Sequence, residues 1–161
     1  MADWTTYSTH GCLFESTPSP APTMQAPTGD LPQTVDLRSV CPPVEDQKQT
    51  NSCVANAIVG ALEIHQRKAR LPAIDMSRLF LYYNARALND QANEDKGSFI
   101  HHGMAAVMAF GVCEERMWPF QEAMVKTKPT NACYDNATGR PWASAASAVL
   151  PRWVRANWMA S

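Results

Sequence analysis

Hydrophobic and polar positions divide the chain into a polar opening, a helix-rich middle and an end rich in Ala, Trp and Arg. In the middle, Val54, Ala57, Ile58, Ala61, Leu62 and His65 recur at the i, i+3/4, i+7 spacing of one helix face. This predicts a helix from about Cys53 to Arg67, with Ser52 as its N-cap and Lys68, Arg70 and Pro72 closing it. A second helix is expected from Ser77 to Leu88, capped by Ser77 or Asp75, with Leu79, Phe80, Tyr83 and Leu88 as apolar contacts. A polar loop from Asn89 to Gly97 follows. A third helix is expected from Ser98, with Ile100, Met104, Val107 and Met108 on one face and Gly111 placed to end it. Asp36 to Cys41 reads as short and extended, and Pro42-Pro43 keeps the preceding residues out of a helix. Val112 to Phe120 is a connector ending in the extended Trp118-Pro119-Phe120. The body thus reads as three helices with short extended connectors and no internal repeat.

Composition sets the boundaries around that body. Residues 16–34 are rich in Pro, Ser, Thr and Ala and cannot bury enough apolar surface to offset the entropy of ordering. Residues 1–34 are therefore read as a flexible leader, in which His10-Gly-Cys-Leu-Phe14 either docks on the body or stays a loose tail. The folded unit is placed at 35–138. Residues 139–161 have no acidic side chain and hold Trp142, Trp153 and Trp158, three of the five tryptophans. They read either as a short helix packing back on the body or as read-through from a shifted frame.

At 161 residues with 45% apolar content, the chain is one domain or the larger part of one, with a real core. A net charge of −1 and the lack of any basic block argue against nucleic acid or an anionic membrane as partner. No apolar run approaches the roughly 18 residues of a membrane span. Residues 1–30 contain no Lys or Arg and no continuous apolar stretch, so no signal peptide is read. The expected location is cytoplasmic by default, with export only by a non-classical route. The cysteines are Cys12, Cys41, Cys53, Cys113 and Cys133, with no CxxC and no Cys/His spacing suited to zinc. Neither a metal nor an organic cofactor is expected.

The chemistry concentrates in Gln47-Lys-Gln-Thr-Asn-Ser-Cys53-Val-Ala-Asn-Ala57, where a glutamine precedes a helix-opening cysteine by six residues. A helix N-terminus favours a thiolate, and a neighbouring imidazolium favours it much more. An amide donor such as Gln47 suits a developing oxyanion, a contribution of about 3–4 kcal/mol for one donor. Taken alone, this spacing also fits a buried helical cysteine packing as a small hydrophobe. His65 lies twelve residues further along the same helix, about 18 Å away at 1.5 Å per residue, and reads as a half-buried core residue. His101 and His102 open the third helix, one facing inward and the other solvent. His10 sits on the leader. Glu114-Glu115 reads as a solvated pair, and Asn136-Ala-Thr138 as a chance glycosylation match.

The surroundings of Cys53 resemble a known family. Val35-Asp-Leu-Arg38, Pro43-Val-Glu-Asp-Gln47 and Ser52-Cys53-Val-Ala-Asn-Ala57 resemble the entry to the catalytic helix of papain-family (C1-like) cysteine peptidases, closest to their bacterial and phage branch. Ser77-Arg-Leu-Phe-Leu-Tyr-Tyr-Asn84 resembles that branch's second helix. Asp95-Lys-Gly97 and Gly111-Val-Cys-Glu-Glu-Arg-Met-Trp-Pro-Phe120 resemble the rest of its helical lobe. The resemblance runs from about Val35 to Phe120. It implies an α+β papain-like fold of which this chain is mainly the helical left lobe, the β-rich right lobe being absent. It implies Cys53 as nucleophile, Gln47 as oxyanion donor, and Gly97, Asn51 and Ser52 beside the substrate backbone.

In this family the activating histidine lies about 130–150 residues after the cysteine, and only 108 residues follow Cys53 here. Nothing in the chain matches that histidine or the Asn-Ser-Trp segment that orients it. Lys48 and Asn51 stand where relatives carry glycines, and at a positive φ a side chain there is costly. Thr50 replaces a disulfide cysteine whose partner is missing too, which fits a reducing compartment.

The expected function is therefore a papain-like cysteine peptidase, truncated and incomplete as this chain alone, acting on a peptide or protein substrate. A separate right lobe or self-association would cover its exposed wall. The alternative is a non-catalytic binding module or pseudoenzyme derived from a peptidase left lobe.

Overall fold

The computed structural model describes residues 10–14 and 29–138. Four helices carry this part: α1 (Cys53–Lys68), α2 (Arg78–Ala87), α3 (Ile100–Phe110) and α4 (Asn131–Thr138). Two 3-10 turns, Arg38–Val40 and Glu122–Met124, lie in the connectors. Two short strands, β1 (Cys12–Leu13) and β2 (Ser98–Phe99), pair in parallel with Cys12 opposite Ser98 and Leu13 opposite Phe99.

Helix α2 is the centre. Leu79, Phe80, Leu81, Tyr82 and Ala85 are all fully buried, so the helix is covered on every side rather than along one stripe. Its start is fixed as the sequence suggests. Ser77 Oγ accepts the Phe80 N–H at 3.1 Å and donates its own hydrogen to the Trp118 carbonyl at 2.6 Å. Helices α1 and α3 pack against α2. Gly111 ends α3 at φ 70°, its N–H donating to the Val107 carbonyl at 2.9 Å. The connector before α2 joins the one between α3 and α4 through an antiparallel bridge between Met76 and Glu114, with Ser77 N–H on the Cys113 carbonyl at 2.8 Å.

Besides Arg38–Val40, which forms a 3-10 turn where the sequence predicts an extended Asp36 to Cys41, four expectations change. First, the buried face of α1 is Val54, Ala55, Val59, Glu63 and Gln66, while Ala57 and Ala61 are exposed. The inner face looked polar because it carries two polar side chains. Glu63 Oε1 accepts the Met76 N–H at 2.9 Å, and Gln66 Oε1 accepts the Ile74 N–H at 3.3 Å. Second, Ser52 occupies the N-cap position but its side chain makes no capping bond. Third, Ser98 and Phe99 are strand rather than helix, and α4 is an additional helix within a stretch given no element. Fourth, Glu115 is not solvated. Its Oε1 accepts the Phe120 N–H at 2.5 Å and lies 3.7 Å from Arg78.

Two buried arginines brace the loops around α2. Arg86 Nη1 donates to the Ala92 carbonyl at 3.0 Å and also to that of Glu94, while Nη2 reaches the Val125 carbonyl. Its guanidinium carbon lies 4.0 Å from the centre of the Tyr82 ring. Arg78 pairs with Glu45 at 2.9 Å and donates to the Asp46 carbonyl at 3.3 Å and Asn56 Oδ1 at 3.2 Å. One arginine therefore holds the loop after α2, and the other holds the loop before α1. No helix among the described residues is long and apolar enough to cross a membrane.

Candidate active site

Cys53 is the first residue of α1, and the loop before it is pinned from several sides. The turn from Gln47 to Thr50 closes on itself. Thr50 N–H donates to the Gln47 carbonyl at 3.2 Å, and Gln47 Nε2 donates to the Thr50 carbonyl at 3.1 Å. Thr50 Oγ1 donates to the Gln47 carbonyl at 2.8 Å and lies 2.7 Å from Ser52 Oγ. Asn56 Nδ2 donates to Ser52 Oγ at 3.0 Å. Ser52 is fully buried, and its hydroxyl serves this internal network. Gln49 N–H donates to Glu122 Oε1 at 2.9 Å, which ties the outer side of the turn to the second 3-10 segment.

The same loop is tied to the Gly97 loop through Asp95. Asp95 Oδ1 accepts the Asn51 N–H at 3.0 Å and the Tyr82 hydroxyl at 2.5 Å, and the Asp95 carbonyl accepts Asn51 Nδ2 at 2.6 Å. The Tyr82 oxygen in turn accepts the Gly97 N–H at 3.0 Å. Burial and this bond to Asp95 raise the Tyr82 pKa, so it remains a neutral phenol. Asn51 and Gly97 are thus held by one chain of bonds. Neither Asp95 nor Tyr82 is marked as a site residue by local motif. Their role appears only when two loops 44 residues apart meet.

Gly11 and Gly97 bring three backbones together. Gly97 has φ 88°, and a Cβ there would fall 2.3 Å from the Gly11 carbonyl oxygen. A Cβ on Gly11 would fall 2.5 Å from the Asn51 carbonyl oxygen and 2.7 Å from Cys53 Sγ. Ser98 N–H donates to the Gly11 carbonyl at 3.0 Å. The docked form of His10–Phe14 is the one observed, and it passes directly over the candidate nucleophile beside Gly97.

Lys48 lies at φ 50°, the positive-φ position that the missing glycine implies. Its N–H donates to Asp46 Oδ1 at 2.8 Å, which holds the turn despite the side chain. Asn51 is not among the positive-φ residues.

The thiol of Cys53 is pushed above its ordinary value, against the expectation from a helix N-terminus. Burial is the largest cause and charge on Cys12 adds to it, while the backbone N–H groups of Val54 and Cys53 pull the other way. The pull of the helix start is present, but desolvation outweighs it. His101 and His102 pack on Phe99, with ring centres 5.2 and 5.4 Å from it and 4.2 Å from each other. His65 lies half-buried well along α1. Among the described residues no cluster of His, Cys, Asp and Glu could hold a metal ion.

Beyond Cys53 an apolar groove of about 520 Å³ follows α1 and α3, lined by Cys12, Val54, Ala57, Ile58, Ala61, Ile100 and Met104 among others. The stripe that periodicity assigned to the core is largely the wall of this groove.

A glutamine turn leading to a cysteine-headed helix, set against a glycine loop over a largely buried second helix, is the helical lobe of the α+β papain-like cysteine peptidase fold. Known proteins agree over this part of the chain. A curated protein of Acanthamoeba polyphaga mimivirus, described as an uncharacterized peptidase C1-like protein, is 36% identical over 97 residues, or 57% of this chain and 30% of that relative. Xylellain, a cysteine protease from Xylella fastidiosa, superposes with a TM-score of 0.57 at 29% identity, covering 69% of this chain and 54% of xylellain. A structure addressing antibody cross-reactivity between the mite allergens Blo t 1 and Der p 1 shares the fold, with a TM-score of 0.52 at 22% identity over 58% of this chain and 32% of that one. No established family profile matches the chain. The chain spans about a third of the mimivirus relative's length and about half of xylellain's.

Proposed function

We propose that this lobe supplies the nucleophile and oxyanion half of a papain-like peptidase site, cleaving peptide bonds by acyl transfer to Cys53. The observation that carries the reading is the placement of Cys53 at the head of α1, at the end of a rigid turn begun by Gln47. In this mechanism Cys53 Sγ attacks the scissile carbonyl. The Cys53 backbone N–H and the Gln47 amide receive the oxyanion. One Nε2 hydrogen of Gln47 holds the Thr50 carbonyl, and the second is the donor for the oxyanion. The amine leaves, and water hydrolyses the thioester. Gly97 and Asn51 frame the substrate backbone, while Ser52 acts from beneath by holding the turn in shape.

The base that activates Cys53 comes from outside the described residues, in a β-rich lobe seated against the groove. A raised thiol pKa supports this reading, because a paired imidazolium would depress it. The test is hydrolysis of a quenched fluorescent peptide. The isolated chain should turn it over negligibly. Adding a complementary β-rich lobe should restore turnover that Cys53→Ala abolishes and Gln47→Ala lowers by about 10²–10³. Robust turnover by the isolated chain, lost in Cys53→Ala and retained when His101 and His102 are both Ala, would overturn the missing-base account.

The groove favours a second reading, a peptide-binding or self-associating module without catalysis. Exposed apolar walls of this kind mark interaction surfaces. Complex formation unaffected by Cys53→Ala, with no turnover under any complementation, would select it.

A further inference from the structure

Two thiols share the groove. Cys12 and Cys53 both line it, both are half-buried, and neither is bonded to another sulfur. Strand β1 brings Cys12 to this place through its fixed register with β2. The neighbouring residue, Gly11, lies so close that a Cβ on it would fall 2.7 Å from Cys53 Sγ. Cys12 follows Gly11 directly, its Cα about 3.8 Å from the Gly11 Cα. The electrostatic influence of Cys12 on the Cys53 thiol is a separate sign of their proximity. The other three cysteines are placed differently: Cys113 and Cys133 are buried in the core, and Cys41 is exposed in the connector after the first 3-10 turn.

We propose that Cys12 and Cys53 form a reversible intramolecular disulfide when the chain meets a peroxide, so that the N-terminal strand becomes covalently fixed over the candidate nucleophile. The chemistry balances in two steps. One thiolate attacks a peroxide oxygen; the S–O bond forms, the O–O bond breaks, and hydroxide leaves to become water with the thiol's proton. The second thiolate attacks the resulting sulfenic sulfur; the S–S bond forms, the S–O bond breaks, and a second water departs with the second proton. Two thiols are oxidised and one peroxide is reduced. The linked Cys53 can neither attack a carbonyl nor proceed to the irreversible sulfinic acid. A thiol reductant restores both groups.

This proposal rests on the placement of two sulfurs and not on the peptidase reading, and its readout is a covalent link. Each of the five cysteines falls in its own tryptic peptide, Cys12 in residues 1–38 and Cys53 in residues 49–67. The reduced full chain is treated with hydrogen peroxide, capped with iodoacetamide, digested, and mapped by mass spectrometry without reduction. The expected dominant product joins 1–38 to 49–67, two hydrogens lighter than the separate peptides, and separates with dithiothreitol. Cys12→Ser should lose this product and accumulate sulfinic acid at Cys53. Three outcomes overturn the proposal: Cys53 joined mainly to Cys41, Cys53 joined mainly to a second copy, or Cys12 still capped by iodoacetamide while Cys53 is oxidised.

Discussion

At the residue scale, Lys48 shows how a missing glycine can be accommodated. Relatives with glycine at this place reach a left-handed backbone at no steric cost. Here Lys48 adopts φ 50° with its N–H held by Asp46. A side chain in that region costs about 1–2 kcal/mol, part of which glycine gives back in unfolded-state entropy. Lys48→Gly should therefore stabilise the fold by about 0.5–1 kcal/mol, read as a higher urea midpoint with unchanged slope. An unchanged or lower midpoint would show that the turn is not strained. This position was legible in the sequence because the constraint is local. Ser52 was less so: its hydroxyl had a choice between capping α1 and joining Thr50 and Asn56, and only the packed loop decides.

At the scale of elements, the helices with local signals were legible and those made by distant contacts were not. Ser77 caps α2 and Gly111 ends α3 through bonds spanning three or four residues. By contrast, β1 exists only because Gly11 and Gly97 let two remote backbones touch, and two strand residues carry no periodicity to detect. The inner face of α1 was misplaced because Glu63 and Gln66 lie inside as acceptors for the chain entering α2.

Burial raises the Glu63 carboxyl above its ordinary 4.5, so the folded state favours its protonated form. That contribution is fully present below about pH 4.5 and is lost as pH rises through the raised folded value. Glu63→Gln keeps the acceptor for Met76 and removes the titration. Its stability advantage over the native chain should be larger at neutral pH than at about pH 5, as read from urea unfolding. An advantage independent of pH would contradict this. Arg86, buried under three loop carbonyls, gives the opposite case. Arg86→Met leaves those acceptors unsatisfied and should cost about 2–4 kcal/mol in the same measurement. A cost below about 0.5 kcal/mol, the range of a neutral surface change, would show that the brace is dispensable.

At the scale of the molecule, the described residues form a helical lobe whose candidate nucleophile opens onto an apolar groove and lies under its own N-terminal strand. The resemblance carried by the Cys53 and Gly97 segments made the lobe legible and singled out Cys53 as the candidate nucleophile. The strand over Cys53 was open between two readings, because nothing local distinguishes a docked segment from a tail. In the proposed function, the described residues position Cys53 as nucleophile without the base that activates it. The most direct measurement is the rate of Cys53 alkylation by iodoacetamide against pH, followed on the 49–67 peptide in a Cys12→Ser background. The account predicts one ionisation with a midpoint above the ordinary 9.0 of an unperturbed thiol. A fast rate persisting unchanged down to about pH 5 would contradict it, since it would mean that an imidazolium–thiolate pair already exists within this chain.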